Sequence, residues 1–180
     1  VAWASDRLTA CPHEGLDGGP EGAWDLGTRD TGAYATFSEV VAYLDWLGGQ
    51  VSTGTAPRAR LEAAGRAIRA HERALTDLMI AGEPGRPGLA ALGATILGGA
   101  ENPAREGLVS FALEGRASAD LVAALAARGI RTHVRKDDHY SGTVLRPLGL
   151  SDCVRVSLAH YNTSQEVRAF LDAMAEIASP

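Results

Sequence analysis

The 180-residue sequence predicts an α/β chain whose C-terminal part is an α+β domain, an open sheet with helices packed on one face. Three observations predict it. Val154, Val156 and Leu158 alternate with Arg155 and Ser157, the period of a strand that buries the valines and turns Arg155 to the opposite face. Thr163 and Glu166 form a Thr-x-x-Glu capping box, which opens a helix with the apolar stripe Val167, Phe170, Leu171, Met174 and Ile177. Upstream of both, strand and helix periods follow one another so that the whole domain reads β-β-α-β-β-α.

Taken in order, residues 9–25 are rich in Gly, Pro, Asp and Glu, have no hydrophobic period and read as a loop. Thr31–Leu47 places Tyr34, Phe37, Val40, Val41, Leu44 and Leu47 at helical spacing, and Gly48-Gly49 is expected to end that helix. Pro57 suits the first turn of a second helix, whose stripe Leu61, Ala64, Ile68, His71, Leu75 and Leu78 runs to about Ala81. His71 is accordingly expected to be partly buried. Residues 82–93 carry glycines, Pro84 and Pro87, so an irregular path and a domain boundary are expected there. This divides the chain into residues 1–81 and 82–180.

In the second part, Thr95–Leu97 and Leu108–Leu113 read as strands, the latter with Val109, Phe111 and Leu113 on one face. Ser118 is expected to cap a helix reaching Arg128, with Gly129 at its stop. Ile130–Val134 reads as a third strand, 135–149 as a loop with a short helix, and Val154–Leu158 as the fourth strand.

Composition narrows the function classes. A hydrophobic content of 46% supports a packed core, and a net charge of −5 without a basic cluster argues against nucleic acid or an anionic membrane as partner. Two cysteines, Cys11 and Cys153, without Cys-x-x-Cys spacing suit a reducing cytoplasm, and no stretch approaches a membrane span. The chain reads as soluble and cytoplasmic.

Several residues could carry chemistry. The planar guanidinium of Arg155, beside a strand end, suits two-point binding of a carboxylate. Arg135 ends the preceding strand; it either lines the same pocket or is a solvated charge paired with Asp137 or Asp138. Tyr140 and Ser141 are the polar residues of the intervening loop expected to face the pocket. Near the N-terminus, Gly27 permits a tight backbone and Thr28 offers a hydroxyl and an amide just before a helix, which reads either as an anion site or as an ordinary cap. His133, Asp137, Asp138 and His139 match no defined metal spacing, and Arg135 and Lys136 oppose a cation there, so no metal is expected. His160 and Tyr161 are expected to pack or cap. Cys153, in a strand, reads as an inert buried thiol.

The segment Arg155-x-Ser-x-x-x-Tyr-Asn-Thr-x-x-Glu-Val167 resembles the C-terminal signature of class V aminotransferases, the cysteine desulfurase and selenocysteine lyase-like enzymes of pyridoxal phosphate fold type I. Trp24-Asp-Leu-Gly-Thr-Arg-Asp-Thr-Gly32 resembles that family's Glu-x-Gly-Thr-x-Asn-Thr turn, with Asp30 where the family has Asn. The resemblance implies that Arg155 holds a substrate α-carboxylate, that Arg135 and Tyr140 contact the substrate, and that Gly27 and Thr28 meet the cofactor phosphate of a neighbouring subunit in a homodimer. It also implies a lysine that binds the cofactor covalently. The single lysine, Lys136, does not match that position.

Residues 1–81 then correspond to the end of the large cofactor-binding domain with its linker helices, and 82–180 to the small C-terminal domain. Val1-Ala-Trp-Ala-Ser-Asp-Arg-Leu8 resembles the strand and turn that follow the family's lysine, so the chain is expected to be the C-terminal part of a longer enzyme, inactive alone. Desulfurases of the family carry a nucleophilic cysteine on the loop between the two arginines. Gapless spacing puts Tyr140 or Ser141 there, which favours a lyase or aminotransferase over persulfide formation. The competing expectation is a non-catalytic α/β module that binds a small anion or a protein partner through the Arg135 and Arg155 face.

Overall fold

The computed structural model describes residues 5–12, 14–15, 17–19 and 30–178. The chain divides into two compact units, Val1–Gly65 and Arg66–Pro180. Gly27, Thr28 and the rest of the Gly-Thr turn up to residue 29 lie outside the described residues.

In the first unit α1 (Asp6–Thr9) is a single helical turn and α2 spans Thr31–Val51. Asp30 caps α2, its Oδ1 accepting from the Ala33 N–H at 3.0 Å. The expected stop at Gly48-Gly49 is corrected, because α2 continues through both glycines. A Cβ on Gly48 would lie 2.0 Å from the carbonyl oxygen of Arg60 in α3 (Pro57–Ala81), so this glycine serves a close helix–helix approach and not a helix end. Arg60 adds bonds from Nε to the Gly54 carbonyl at 2.9 Å and from a terminal nitrogen to Asp45 at 3.3 Å. The stripe of α2 does not become core. Tyr34 and Phe37 are each 50% exposed, and Val40 and Val41 remain exposed with them.

In the second unit the last turns of α3 bury Leu75, Met79 and Ile80. His71, expected on the buried stripe, is instead exposed, with Nε2 2.8 Å from the Asn162 carbonyl oxygen. Within this unit the fully buried positions of α3 begin one turn later, at Leu75, and leave the imidazole at the rim where a backbone partner is in reach. The stretch expected to be irregular contains a two-residue hairpin, β1 (Gly82–Glu83) and β2 (Arg86–Pro87), with Gly85 at φ +81° in its turn. A Cβ on either Gly82 or Gly88 would stand 2.3 Å from the other's backbone nitrogen, so both must be glycine.

The main sheet has the order β3-β4-β6-β5 and is antiparallel throughout: β3 (Ala94–Ile96), β4 (Leu108–Leu113), β5 (His133–Lys136) and β6 (Asp152–Ser157). The crossover from β4 to β5 through α4 (Ser118–Ala126) leaves a gap that β6 later fills, a split β-α-β arrangement. Two boundaries differ from expectation. β5 begins at His133 and not Ile130, because the Ile130 N–H bonds to the Leu125 carbonyl and, with Gly129 at φ +76°, completes the end of α4. Ser118 is the first residue of α4 and not its cap; its N–H donates to Asp152 Oδ1 at 3.3 Å.

Between β5 and β6 lie α5 (Gly142–Leu145) and a 3₁₀ turn (Arg146–Leu148) closed by Gly149. The last helix, α6 (Ser164–Ala178), opens on the expected capping box. The Glu166 N–H donates to Thr163 Oγ1 at 3.2 Å and the Thr163 N–H to Glu166 Oε2 at 2.6 Å.

The core lies on one face of the sheet. Val109, Phe111, Val154 and Val156 point to it and meet Leu121 and Leu125 of α4 and Val167, Phe170, Leu171 and Met174 of α6. Phe111 and Phe170 form an edge-on pair with centroids 6.4 Å apart. By the pleat, Ser110, Cys153, Arg155, His133 and Arg135 fall on the other face.

Candidate functional site

Register assembles the site. Arg155 stands opposite Ser110 on one neighbouring strand and His133 on the other, and Arg135 stands opposite Cys153. Directly paired residues in an antiparallel sheet share a face, so β6 sets Arg155 and Arg135 as diagonal neighbours. The chain between β5 and β6 folds over them. Asp138 Oδ1 accepts from the Tyr140 N–H at 2.9 Å and the Ser141 N–H at 2.8 Å, which turns Tyr140 and Ser141 toward the arginines. These backbone donors, Ser141 foremost, lower the Asp138 carboxyl below its ordinary range. Asp137 is taken by Arg146, Nε to Oδ1 at 2.6 Å.

The result is a cavity of about 220 Å³ lined by Leu97, Ser110, Arg135, Tyr140, Ser141, Val144, Leu145, Cys153 and Arg155. Arg135 and Arg155 are both in its lining, and no Asp or Glu is. The Nε of Arg155 is buried and has no hydrogen-bond partner among the described residues. An unpaired buried donor on a cation is costly, so this geometry favours an anionic occupant. Arg135 makes no ion pair with Asp137 or Asp138 among the described residues. Arg135 nonetheless acts on Asp138 through space, as the smallest of the influences that lower its carboxyl.

Four of the expected residues, Arg155, Arg135, Tyr140 and Ser141, thus meet in one cavity, while Gly27 and Thr28 lie outside the described residues. Ser110 and Cys153 complete the wall. Ser110 was legible as the outward position between Val109 and Phe111, a signal the strand pattern carried. Cys153 is 2% exposed, and burial pushes its thiol up, reinforced by Asp152 and only partly opposed by Arg135, Ser110 and Arg155. Lys136, paired with Asp152, falls on the opposite parity to Arg155, so the described residues supply no amine to this cavity. A separate cavity of about 290 Å³, on the helix side between Met79, Arg131 and Phe170, contains none of the expected residues.

An antiparallel sheet with helices on one face and a cavity lined by two arginines on the other defines the class, a small α+β domain. The family follows from comparison. The aminotransferase class-V profile matches residues 54–170, and the chain belongs to that family. A probable cysteine desulfurase of Pseudomonas putida is 36% identical over 108 residues, which cover 60% of this chain and 24% of that protein. Probable cysteine desulfurase 1 of Mycobacterium leprae is 31% identical over 89% of this chain and 22% of that protein. Among solved structures, a cysteine desulfurase from Thermococcus onnurineus superposes with a TM-score of 0.56 at 26% identity, over 68% of this chain and 30% of that one. One from Escherichia coli gives 0.50 at 25% identity, over 71% of this chain and 31% of that one. The chain spans 22–24% of the length of these two curated relatives. No helix among the described residues is long and apolar enough to cross a membrane.

Proposed function

We propose that this chain forms the substrate-carboxylate side of a pyridoxal phosphate-dependent enzyme acting on an amino acid, with Arg155 as the anchor of the α-carboxylate and Arg135 and Tyr140 beside it. The observation that carries this reading is the buried, unpartnered Nε of Arg155 in a cavity lined by no acid. A carboxylate that accepts from a guanidinium edge would satisfy that donor and neutralise the charge together.

When bound, the cofactor would supply an electron sink for bonds to the substrate's α-carbon. Lys136, the single lysine, falls on the sheet face away from this cavity, so in this reading the cofactor's attachment belongs to other sequence, and Gly27 and Thr28 are proposed to meet its phosphate across a homodimer. In this reading residues 1–81 are the end of the large domain with its linker helices and 82–180 the small domain. The exposed apolar residues Tyr34, Phe37, Val40 and Val41 of α2 support a further surface packing here. Within the choice of lyase, aminotransferase or desulfurase-like chemistry, the loop of Tyr140 and Ser141 and the buried Cys153 support a reaction that needs no thiol acceptor on this chain.

The test is kinetic. In the polypeptide that joins this chain to its cofactor lysine, Arg155→Lys should raise KM for the amino acid on the order of tenfold or more, because a point charge replaces a two-point grip, while the cofactor absorbance is retained. An unchanged KM would remove Arg155 from the site.

A further inference from the structure

Resting on the carboxylate-anchor reading, we infer that the cavity selects an amino acid with a second acidic group on its side chain, Arg155 taking the α-carboxylate and Arg135 the side-chain anion. The cavity holds more positive charge than one carboxylate neutralises. Arg135 and Arg155 are diagonal neighbours on one sheet face, a separation of about 7–8 Å between backbones, and both line the one cavity. No Asp or Glu lines the cavity. Asp138, the acid whose titration Arg135 influences, is committed through Oδ1 to the backbone of Tyr140 and Ser141, and Asp137 is bonded to Arg146.

The other walls reinforce the choice. Leu97, Val144 and Leu145 give apolar sides that exclude water around the charges, and Ser110 adds a hydroxyl next to Arg155. A ligand with one carboxylate would leave the Arg135 guanidinium facing a half-apolar cavity unpaired, whereas a ligand with two would pair both. At about 220 Å³ the space suits a compact dicarboxylic amino acid and not a long or aromatic one.

The probes are L-aspartate and its near-isosteric neutral counterpart L-asparagine, titrated at tens of millimolar against the 180-residue chain with the arginine Nε–H resonances observed by NMR. L-aspartate should bind on the order of tenfold more tightly than L-asparagine and shift the resonances of both arginines. Arg135→Gln should bring L-aspartate down to the level of L-asparagine and leave L-asparagine unchanged. Arg155→Gln should weaken both, and an unaltered amide spectrum establishes that each variant is folded. Equal affinity for the two ligands, with dependence on Arg155 retained, overturns the second-anion inference alone. Loss of Arg155 without effect on either ligand, or no response of either arginine to either ligand, overturns the anchor reading and this inference together.

Discussion

Cys153 lies directly across from Arg135 in the register of β5 and β6, and both side chains share the face that carries Arg155. A thiol between two guanidinium groups would ordinarily be activated, since cations favour the thiolate. Here burial wins: it is the largest influence on Cys153 and raises the thiol above its ordinary range.

Alkylation reads this balance directly. Iodoacetamide at mildly alkaline pH should label the exposed Cys11 and spare Cys153 in the folded chain, and should label both once the chain is unfolded in urea. Peptide mass spectrometry separates the two sites. Equal labelling rates in the folded chain would show that the arginines dominate, and a nucleophilic role for Cys153 would then have to be reconsidered.

A four-membered ion network ties the β1–β2 hairpin to α6. Arg168 grips Glu83 at two points, Nε to Oε1 at 2.8 Å and a terminal nitrogen to Oε2 at 3.0 Å. Arg86 contacts Glu83 and holds Asp172 in the same two-point way, at 2.7 and 3.2 Å. Hydrogen bonding from Arg168 lowers the Glu83 carboxyl and hydrogen bonding from Arg86 lowers that of Asp172, from ordinary values of 4.5 and 3.8. Folded carboxyls that titrate below their unfolded values stabilise the fold above the ordinary carboxylate range and lose that contribution as pH falls through the folded values. Melting temperature should therefore decline as pH drops from about 5 toward 3. Glu83→Gln should flatten part of that decline, and identical pH profiles for parent and variant would show that the network contributes nothing.

The capping box makes a smaller, sharper claim. Thr163→Ala removes the hydroxyl that accepts from the Glu166 N–H and should cost about 1 kcal/mol of stability in urea unfolding. Thr163→Ser keeps the acceptor and should restore most of it. Equal losses in both variants would place the effect in the threonine methyl and not the cap.

How much of this was legible in the sequence depends on the range of the cause. Val154 and Val156 alternate with Arg155 because a pleat has period two, and the structure buries the valines at 0% and 7% exposure as that pattern requires. Thr163 and Glu166 are three residues apart, so their reciprocal bonds are a local property. The meeting of Arg135 with Arg155 is different: it needs β6 to enter between β4 and β5, and nothing within either strand encodes that order. Ser118 shows the same limit, since the acceptor for its N–H is Asp152, far along the chain. His71 fell off the buried stripe because a 25-residue helix offers several overlapping faces, and the packed partner alone selects among them.

Gly48 and Gly49 separate local from tertiary meaning most cleanly, because two adjacent glycines read as one helix stop and the structure gives them different roles. Both lie inside α2, where glycine costs about 1 kcal/mol relative to alanine. At Gly49 a Cβ would meet nothing nearer than the Arg60 side chain at 3.8 Å, an ordinary contact. Gly49→Ala should therefore be neutral or stabilising by up to about 1 kcal/mol. At Gly48 the same atom would lie 2.0 Å from the Arg60 carbonyl oxygen, which belongs to a helical backbone and cannot swing aside. Gly48→Ala must push α2 and α3 apart where they touch and should cost about 1–3 kcal/mol despite the gain in helix propensity. Urea unfolding of the two single variants measures the difference, and a Gly48→Ala variant as stable as Gly49→Ala would show that α2 and α3 do not approach at this point.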